Sequence, residues 1–371
     1  MSVIAGASQS ARRAVGGWWD GLPRGVRIVV GLALLVVAYL APFDWFYPLF
    51  GPFVTAETDF PTTLFTMAYY VLLSLGLNVV VGLAGLLDLG YVGFFAIGAY
   101  TVGLLTSPDS DFHTKWPWIP TVPIAIAVVM VSGVILGGVT LRLRGDYLAI
   151  VTLGFAEIIR AYAESSTFLR GQFGFSSIPH PPGTLPSGKP LFGVIDASPY
   201  YWLALTLVIV VIFGIRNLER SRVGRAWVAI REDEDAAEAM GVPTFRFKLW
   251  AFAIGAAFGG LSGTLFATQI GFINSGNFAL FFSILVLAGV VLGGSGNIPG
   301  VILGGAFIAY IPERLRGIKE PITGTDLYEF RFLFFGLLLI LIMIFRPAGL
   351  IPSRRRKREF ADRAKEVTVG E

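Results

Sequence analysis

The sequence contains no cysteine and only two histidines among its 371 residues. Without thiols the chain cannot form a disulfide framework, a thiol nucleophile or a thiolate metal site. Two histidines are too few for a histidine metal cluster, so we expect no metal and no other cofactor. Charged residues are scarce as well, at 15% against roughly 25% in an average soluble domain. Together these absences exclude an ordinary soluble enzyme.

What the chain has instead is apolar surface, because 54% of its residues are hydrophobic. Ten apolar runs occur, and most approach the ~20 residues that a membrane-spanning helix needs. They cover residues 26–43, 64–83, 86–105, 119–141, 147–163, 200–215, 247–270, 278–294, 298–310 and 332–345. The run 298–310 is short, and the run 86–105 is rich in glycine, so either could be broken or re-entrant. The sequence therefore predicts an all-α polytopic integral membrane protein with eight to ten transmembrane helices.

The distribution of basic residues predicts the orientation. With the N-terminus placed inside, most of the 29 lysines and arginines fall in inside segments or at the inner ends of spans, as the positive-inside rule requires. We therefore expect the N-terminal segment (residues 1–25), the loop 217–246 and the basic tail (residues 347–371) to be cytoplasmic. The transmembrane domain would then cover residues 26–346. Its proline-rich loop 165–199 is expected to be external, irregular and exposed.

No nucleotide-binding site is predicted, either in the sequence that partly matches a phosphate loop or in the glycine-rich stretches. Residues 183–190 read GTLPSGKP, but a phosphate loop needs serine or threonine where Pro190 stands. We therefore predict that this chain is not an enzyme and that any ATP hydrolysis belongs to a partner. The stretches 82–103 and 289–305 lack the strand–turn–helix context of a dinucleotide fingerprint. Close helix packing, with a sharp turn at residues 293–300, is the expected role.

Four ionisable residues are candidates for the solute pathway or for intramembrane polar contacts. Asp88 is the only acidic residue in the first four runs; it is either functional, as intramembrane carboxylates usually are, or a helix cap after Gly85. Glu157, Arg160 and Glu164 share one helical face because they are spaced i, i+3 and i+7. They would form an ion-pair network that holds two helices together, or line the solute pathway. The Glu157–Arg160 pair would face a partner subunit or that pathway.

The most informative stretch is 221–241, SRVGRAWVAIREDEDAAEAMG. It predicts one helix near residues 226–240, ended by Gly241 and Pro243 and too charged to enter lipid. Its acid-Ala-Ala-x-x-x-Gly pattern resembles the cytoplasmic coupling loop of ABC importer permeases. The coupling residues are then Arg225, Arg231, Glu232, Asp233, Glu234, Asp235, Ala236, Ala237 and Gly241. Residues Glu232 to Asp235 would present charge to an ATPase, the alanines Ala236, Ala237 and Ala239 would allow close approach, and Gly241 would turn the chain back toward the bundle.

Longer stretches resemble one transporter family over roughly residues 64–352. The matching segments are 82–100 (GLAGLLDLGYVGFFAIGAY), 141–160 (LRLRGDYLAIVTLGFAEIIR), 224–241 and 346–352 (RPAGLIP). They resemble the M-type permease subunits of bacterial branched-chain amino acid ABC transporters. The resemblance implies an inner-membrane subunit that forms half of the translocation pathway for leucine, isoleucine and valine. It also implies a second homologous permease, two cytoplasmic ATPase subunits, an external solute-binding protein and a surrounding lipid bilayer as partners, and no nucleic acid.

One segment departs from the family and leaves the solute open. After the fifth span the family usually shows a Gly-Gly-x-Asn-Gly-like motif, but here Arg170 replaces the first glycine and Phe173 replaces the asparagine. Permeases of similar sequence carry urea or short amides, which is the alternative within the same importer class. A secondary transporter driven by an ion gradient and a membrane protein without a transport role are the alternatives from other classes. Whether the permease pair is a heterodimer or a homodimer stays open.

Overall fold

A computed structural model of the chain describes residues 23–43, 45, 59–111, 115–141, 143, 145–184, 190–193, 196–316, 327–345 and 349–351. The chain divides into two compact units, Met1–Val54 and Thr55–Glu371. In the first unit the described residues form helix α1 (Arg24–Leu40). The predictions made for most of the N-terminal segment and the basic tail lie outside the described residues.

The second unit is a bundle of helices. Helix α2 (Phe60–Leu77) runs directly into a π-helical segment (Asn78–Leu83). The following helices are α3 (Val92–Thr106), α4 (Trp118–Thr140), α5 (Asp146–Ser165), α6 (Ser198–Arg220), α7 (Arg222–Glu232), α8 (Glu234–Ala239), α9 (Thr244–Ile270), α10 (Leu280–Gly293), α11 (Ile298–Leu315) and α12 (Arg331–Phe345). In the part of the chain that the structure describes, β-pairing is limited to isolated bridges, so the prediction of an all-α fold is confirmed.

Six of these helical stretches are long and apolar enough to cross a membrane, among the residues described. They are α2 with its π-helical segment, α4, α6, α9, α10 with the short 3₁₀ turn before it, and α11. The short apolar run 298–310 belongs to the 18-residue helix α11. The run 86–105 is broken, because α3 begins only at Val92 after the irregular segment 84–91. The chain is therefore a multi-pass membrane protein.

Helix α9 lies at the centre of the second unit, packed against α2, α3 and α4. Small residues let these helices touch through their backbones. A Cβ atom on Gly98 of α3 would lie 2.3 Å from the Gly260 carbonyl oxygen of α9, and one on Gly263 would lie 2.1 Å from the Phe95 carbonyl oxygen. Gly98, in the glycine-rich stretch 82–103, thus serves close helix packing, as predicted.

Helices α10 and α11 form an antiparallel pair with the same kind of contact. A Cβ atom on Gly293 would lie 2.1 Å from the Gly300 carbonyl oxygen, and one on Gly304 would lie 2.0 Å from the Gly289 carbonyl oxygen. Between the helices the chain turns through Gly296 at a φ of 79°, in the left-handed region that glycine reaches at no steric cost. The predicted turn between the two runs is confirmed.

The loop 165–199 is irregular in its described residues, as predicted, but the prediction that it is exposed is wrong for its middle part. Phe175 and Ile178 are buried. Phe175 exchanges two backbone hydrogen bonds of 2.9 and 3.0 Å with Ile273, beyond the end of α9. The sequence pattern missed this because proline marks loops without indicating what the loop packs against. The part of the loop around Phe175 and Ile178 therefore covers this end of α9.

Candidate functional site

The charged loop 217–246 contains two helices, not the single helix predicted over residues 226–240. The Ser221 hydroxyl begins α7 by accepting a hydrogen bond from the Gly224 N–H at 3.3 Å. At Asp233 the backbone becomes extended, and its carboxylate begins α8 by accepting from the Ala236 N–H at 2.9 Å. The break arises because an aspartate side chain can satisfy the free N–H groups of a new helix.

Helix α8 ends in a Schellman motif at Gly241. The Val242 N–H donates to the Ala237 carbonyl at 3.0 Å, and the Gly241 N–H donates to the Glu238 carbonyl at 2.9 Å. This pattern needs a residue in the left-handed region after the helix, and Gly241 has a φ of 83°. The predicted sharp turn at Gly241 is confirmed.

One face of α7 and α8 is fixed to α9. Trp227 is fully buried, and its indole N–H donates to the Phe247 carbonyl at 2.7 Å. Ile230 is buried too, and so is Ala237 of α8. The prediction that Ala237 offers close approach to a partner is therefore wrong, because its side chain is covered by the chain itself. Ala236 and Ala239 are exposed.

The acidic run also divides between two faces. The carboxylate of Glu234 forms an ion pair with the ammonium of Lys248, whose side chain is only 5% exposed, against 29% for Glu234. Glu232, Asp233 and Asp235 are exposed. The prediction that the whole run from Glu232 to Asp235 presents charge outward is thus wrong for Glu234, which ties α8 to α9.

Breaking this pair one side at a time is expected to give unequal losses of stability. Glu234→Gln leaves a buried ammonium without its counter-charge, so it should lower the free energy of unfolding by about 3 kcal/mol or more. Lys248→Met leaves the partly solvated carboxylate of Glu234 without its partner and should lower the free energy of unfolding by less. The double variant should lie closest to the parent. Thermal unfolding in detergent measures all three, and a double variant less stable than Glu234→Gln would contradict this assignment.

Arg231 lies on another face of α7 and reaches back to the π-helical segment (Asn78–Leu83) that forms the end of α2. Its guanidinium donates a hydrogen bond to the Gly82 carbonyl oxygen. A cavity of about 330 Å³ lies beside this contact and is lined by Arg231, Glu234 and Lys248 together with apolar residues of the segments 84–87 and 143–148. Arg225, by contrast, is exposed and donates to the Arg220 carbonyl at 2.8 Å.

The three charged residues of α5 pair along their own helix. Arg160 Nε lies 2.9 Å from a Glu157 carboxylate oxygen, and Arg160 Nη1 lies 3.2 Å from one of Glu164. The hypothesis that they hold two helices of this chain together is not supported among the described residues. All three side chains are more than a third exposed, so their polar face points out of the subunit. A place beside a partner subunit or the pathway stays a prediction.

Asp88 is completely buried in the irregular segment before α3. Its carboxylate accepts from the Gly90 N–H at 2.9 Å, while the neighbouring Leu89 N–H donates to the Thr152 hydroxyl at 3.0 Å. The residue at the N-cap of α3 is Tyr91. Asp88 therefore closes an Asx turn ahead of the helix rather than capping it directly, and a contact with solute stays a prediction.

The segment that departs from the resembled family, residues 170–174, follows the C-terminal end of α5. Arg170 adopts a φ of 61°, a conformation that costs a non-glycine residue energy. Phe173 is 85% exposed. Nearby, the Ser176 hydroxyl and backbone N–H donate to the carboxylate of Asp109 and lower its pKa. These hydrogen bonds anchor the segment to the loop after α3.

Sequence reasoning missed several residues that hold the site together. Trp227, Lys248 and Asn78 were not singled out, although Trp227 and Ile230 stand at helical spacing with Ala226 and so indicate a buried face. Asn78 is fully buried, and its side-chain oxygen accepts from the Gly296 N–H at 2.7 Å. Nothing in the sequence indicates this contact, because its partners are far apart in the chain.

Comparison with known proteins places the chain among transport proteins. Residues 61–343 match the family model described as "Branched-chain amino acid transport system / permease component". The chain is 42% identical to the high-affinity branched-chain amino acid transport system permease protein LivM of Salmonella typhimurium, over 87% of this chain and 75% of that protein. It is also 42% identical to LivM of Escherichia coli, over 82% of this chain and 72% of that protein.

A more distant relative has a different solute in its name. The autoinducer 2 import system permease protein LsrC of Yersinia pseudotuberculosis is 27% identical, over 85% of this chain and 84% of that protein. No solved structure matches the chain.

Proposed function

Because the chain belongs to the family of branched-chain amino acid transport permeases, we propose that it carries leucine, isoleucine and valine as the permease subunit of an ATP-binding-cassette importer. Two amino acid permeases, LivM of Salmonella typhimurium and LivM of Escherichia coli, are 42% identical to it. The more distant relatives, which include the amino acid permease BraD at 28% and the autoinducer permease LsrC of Yersinia pseudotuberculosis at 27%, are well below that identity. This difference favours amino acids as the solute.

The subunit forms half of a translocation pathway in the bacterial inner membrane. A second homologous permease supplies the other half, an external solute-binding protein delivers the solute, and two cytoplasmic ATPase subunits drive the transport. The exposed apolar side chains along α4, among them Val131, Ile135 and Val139, are suited to contact with lipid or with the second permease. The exposed, charge-paired face of α5 is suited to the subunit boundary.

The observation that carries the proposal is the construction of α7 and α8. Their inner face is fixed to α9 through Trp227 and Lys248, while Glu232, Asp235 and Ala236 remain exposed. A short helix pair that is rigidly seated on the bundle and exposed on its other face is suited to dock on an ATPase and follow its movement. In this assignment α7, α8 and both termini are cytoplasmic, and the segment around Phe173 is external.

Cysteine labelling tests both the orientation and the docking on this cysteine-free chain. Met240, at the end of α8, and Phe173, at the other end of the bundle, are each 85% exposed, so Met240→Cys and Phe173→Cys form a matched pair. An impermeant maleimide should label Phe173→Cys in intact cells and Met240→Cys only in inverted vesicles. Bound ATPase should slow the labelling of Met240→Cys alone. Labelling of Met240→Cys from outside, or at a rate that the ATPase leaves unchanged, would refute the assignment.

A further inference from the structure

We propose that Arg231 is a positioning residue that joins α7 to the end of α2 and to the α10–α11 turn, so that movement of α7 reaches both. The inference rests on the proposed function, since it assigns one step in the path from the ATPase to the membrane helices. It is carried by the contacts that meet at the Arg231 guanidinium.

The first contact exists because α2 ends irregularly. In the π-helical segment the Ala84 N–H donates to the Val79 carbonyl at 3.1 Å, and the Leu86 N–H reaches back to the Val80 carbonyl at 3.0 Å. The last carbonyls of a helix have no partner within the helix, and the Gly82 carbonyl accepts from Arg231 instead. A guanidinium at this position also complements the negative end of the helix dipole.

The second contact brings in the turn between α10 and α11. A Cβ atom on Gly296 would lie 2.9 Å from Arg231 Nη1 and 3.0 Å from the Gly82 carbonyl oxygen. The backbone N–H of Gly296 donates to the side chain of Asn78, which lies at the start of the π-helical segment. The guanidinium, the end of α2 and the turn are therefore packed against one another without space for a side chain on Gly296.

The stem of Arg231 is fixed as well. Gly85 has a φ of 74°, and a Cβ atom there would lie 2.6 Å from Arg231 Cγ. The chain thus passes over the arginine stem where only glycine has both the conformation and the space. Arg231 cannot move away from the bundle without breaking its hydrogen bond to the Gly82 carbonyl oxygen and losing its contact with Gly85.

The contacts of Arg231 with Gly82, Gly85 and Gly296 form a joint. This joint is separate from the contacts that fix α7 and α8 to α9. Trp227 and the Glu234–Lys248 pair connect the two helices to α9, whereas Arg231 connects α7 to α2 and to the α10–α11 turn. Removing the guanidinium should leave the docking surface of α7 and α8 in place. It should interrupt one route by which movement of α7 reaches α2 and the α10–α11 turn. The expected defect is uncoupling: ATP is hydrolysed, but less solute is moved per ATP.

The test compares Arg231→Met with Arg222→Met in the full complex with its partner subunits. Arg222 is exposed at the first residue of the same helix, so the control removes the same charge from α7 without touching the joint. Complex yield, ATP hydrolysis and uptake of radiolabelled leucine are measured together. Arg231→Met should assemble and hydrolyse ATP like the control, but the leucine moved per ATP should fall about tenfold, because a hydrogen bond from a charged donor shifts equilibria by at least such a factor.

Parental leucine uptake per ATP in Arg231→Met would overturn the inference and leave the proposed function standing. If the parent complex itself neither hydrolyses ATP nor takes up leucine, the proposed function fails. If Arg231→Met assembles poorly, Arg231→Lys decides, since it retains the charge and one donor but cannot reproduce the planar fork. Partial recovery of coupling in a fully assembled Arg231→Lys complex would support the joint, and poor assembly of both variants would show that Arg231 is only structural.

Discussion

Replacing Gly304 with alanine is expected to destabilise the folded protein by about 3 kcal/mol or more, the upper end of the usual cost of overpacking. The new Cβ atom would lie 2.0 Å from the Gly289 carbonyl oxygen and 2.8 Å from the Gly293 backbone nitrogen. Both are backbone atoms, which cannot swing aside as a side chain can. Helices α10 and α11 would have to separate along their length, and the unfolding temperature measured in detergent should fall accordingly.

Gly214→Ala is the matched control, because a Cβ atom there would meet no atom within 4 Å. Gly214 lies inside α6, where alanine is favoured over glycine by roughly 0.5–1 kcal/mol. The control should therefore be as stable as the parent or slightly more stable. If Gly304→Ala unfolds at the same temperature as Gly214→Ala, the two helices do not pack as closely as described.

The α10–α11 contact matters for the site as well as for stability. The turn that joins these helices contains Gly296, whose N–H binds the Asn78 side chain at 2.7 Å and which packs against Arg231. A change that separates α10 from α11 would displace this turn. We therefore expect loss of transport in any Gly304→Ala protein that still reaches the membrane.

Much of the fold could be predicted because a membrane restricts the choices. Each of the ten apolar runs contains a helix or most of one, since backbone groups in lipid must be satisfied within the segment. The glycine-rich stretches predict close helix packing and a turn, since glycine lets helices approach closely and reaches left-handed backbone angles. The spacing of Glu157, Arg160 and Glu164 also predicted their mutual contacts, which depend only on helical geometry.

The structure of the charged loop could be predicted only in part. Asp233 stands in a run that is compatible with a continuous helix. The start of a new helix at this residue is stabilised by tertiary contacts such as the Glu234–Lys248 pair. Lys248 itself stands at the start of an apolar run, where a basic residue is expected at the membrane surface. Its burial follows from the seating of α8 on α9, which no local pattern encodes.

The joint at Arg231 could not be predicted because its parts are distant in the chain. Gly82, Arg231 and Gly296 come together only when α2, α7 and the α10–α11 turn are assembled. The one local signal is the pair Gly82 and Gly85 at the end of an apolar run, which indicates a helix end without identifying what binds to it.

Leucine uptake into proteoliposomes tests the central claim most directly. The chain is reconstituted with its second permease and ATPase subunits, with ATP inside the vesicles and the leucine-loaded binding protein outside. Radiolabelled leucine is expected to accumulate only when ATP and the leucine-loaded binding protein are both present, and the signal should fall to background when either is left out. Accumulation driven by an imposed proton or sodium gradient without ATP would contradict it, and so would transport of urea or short amides with no uptake of leucine.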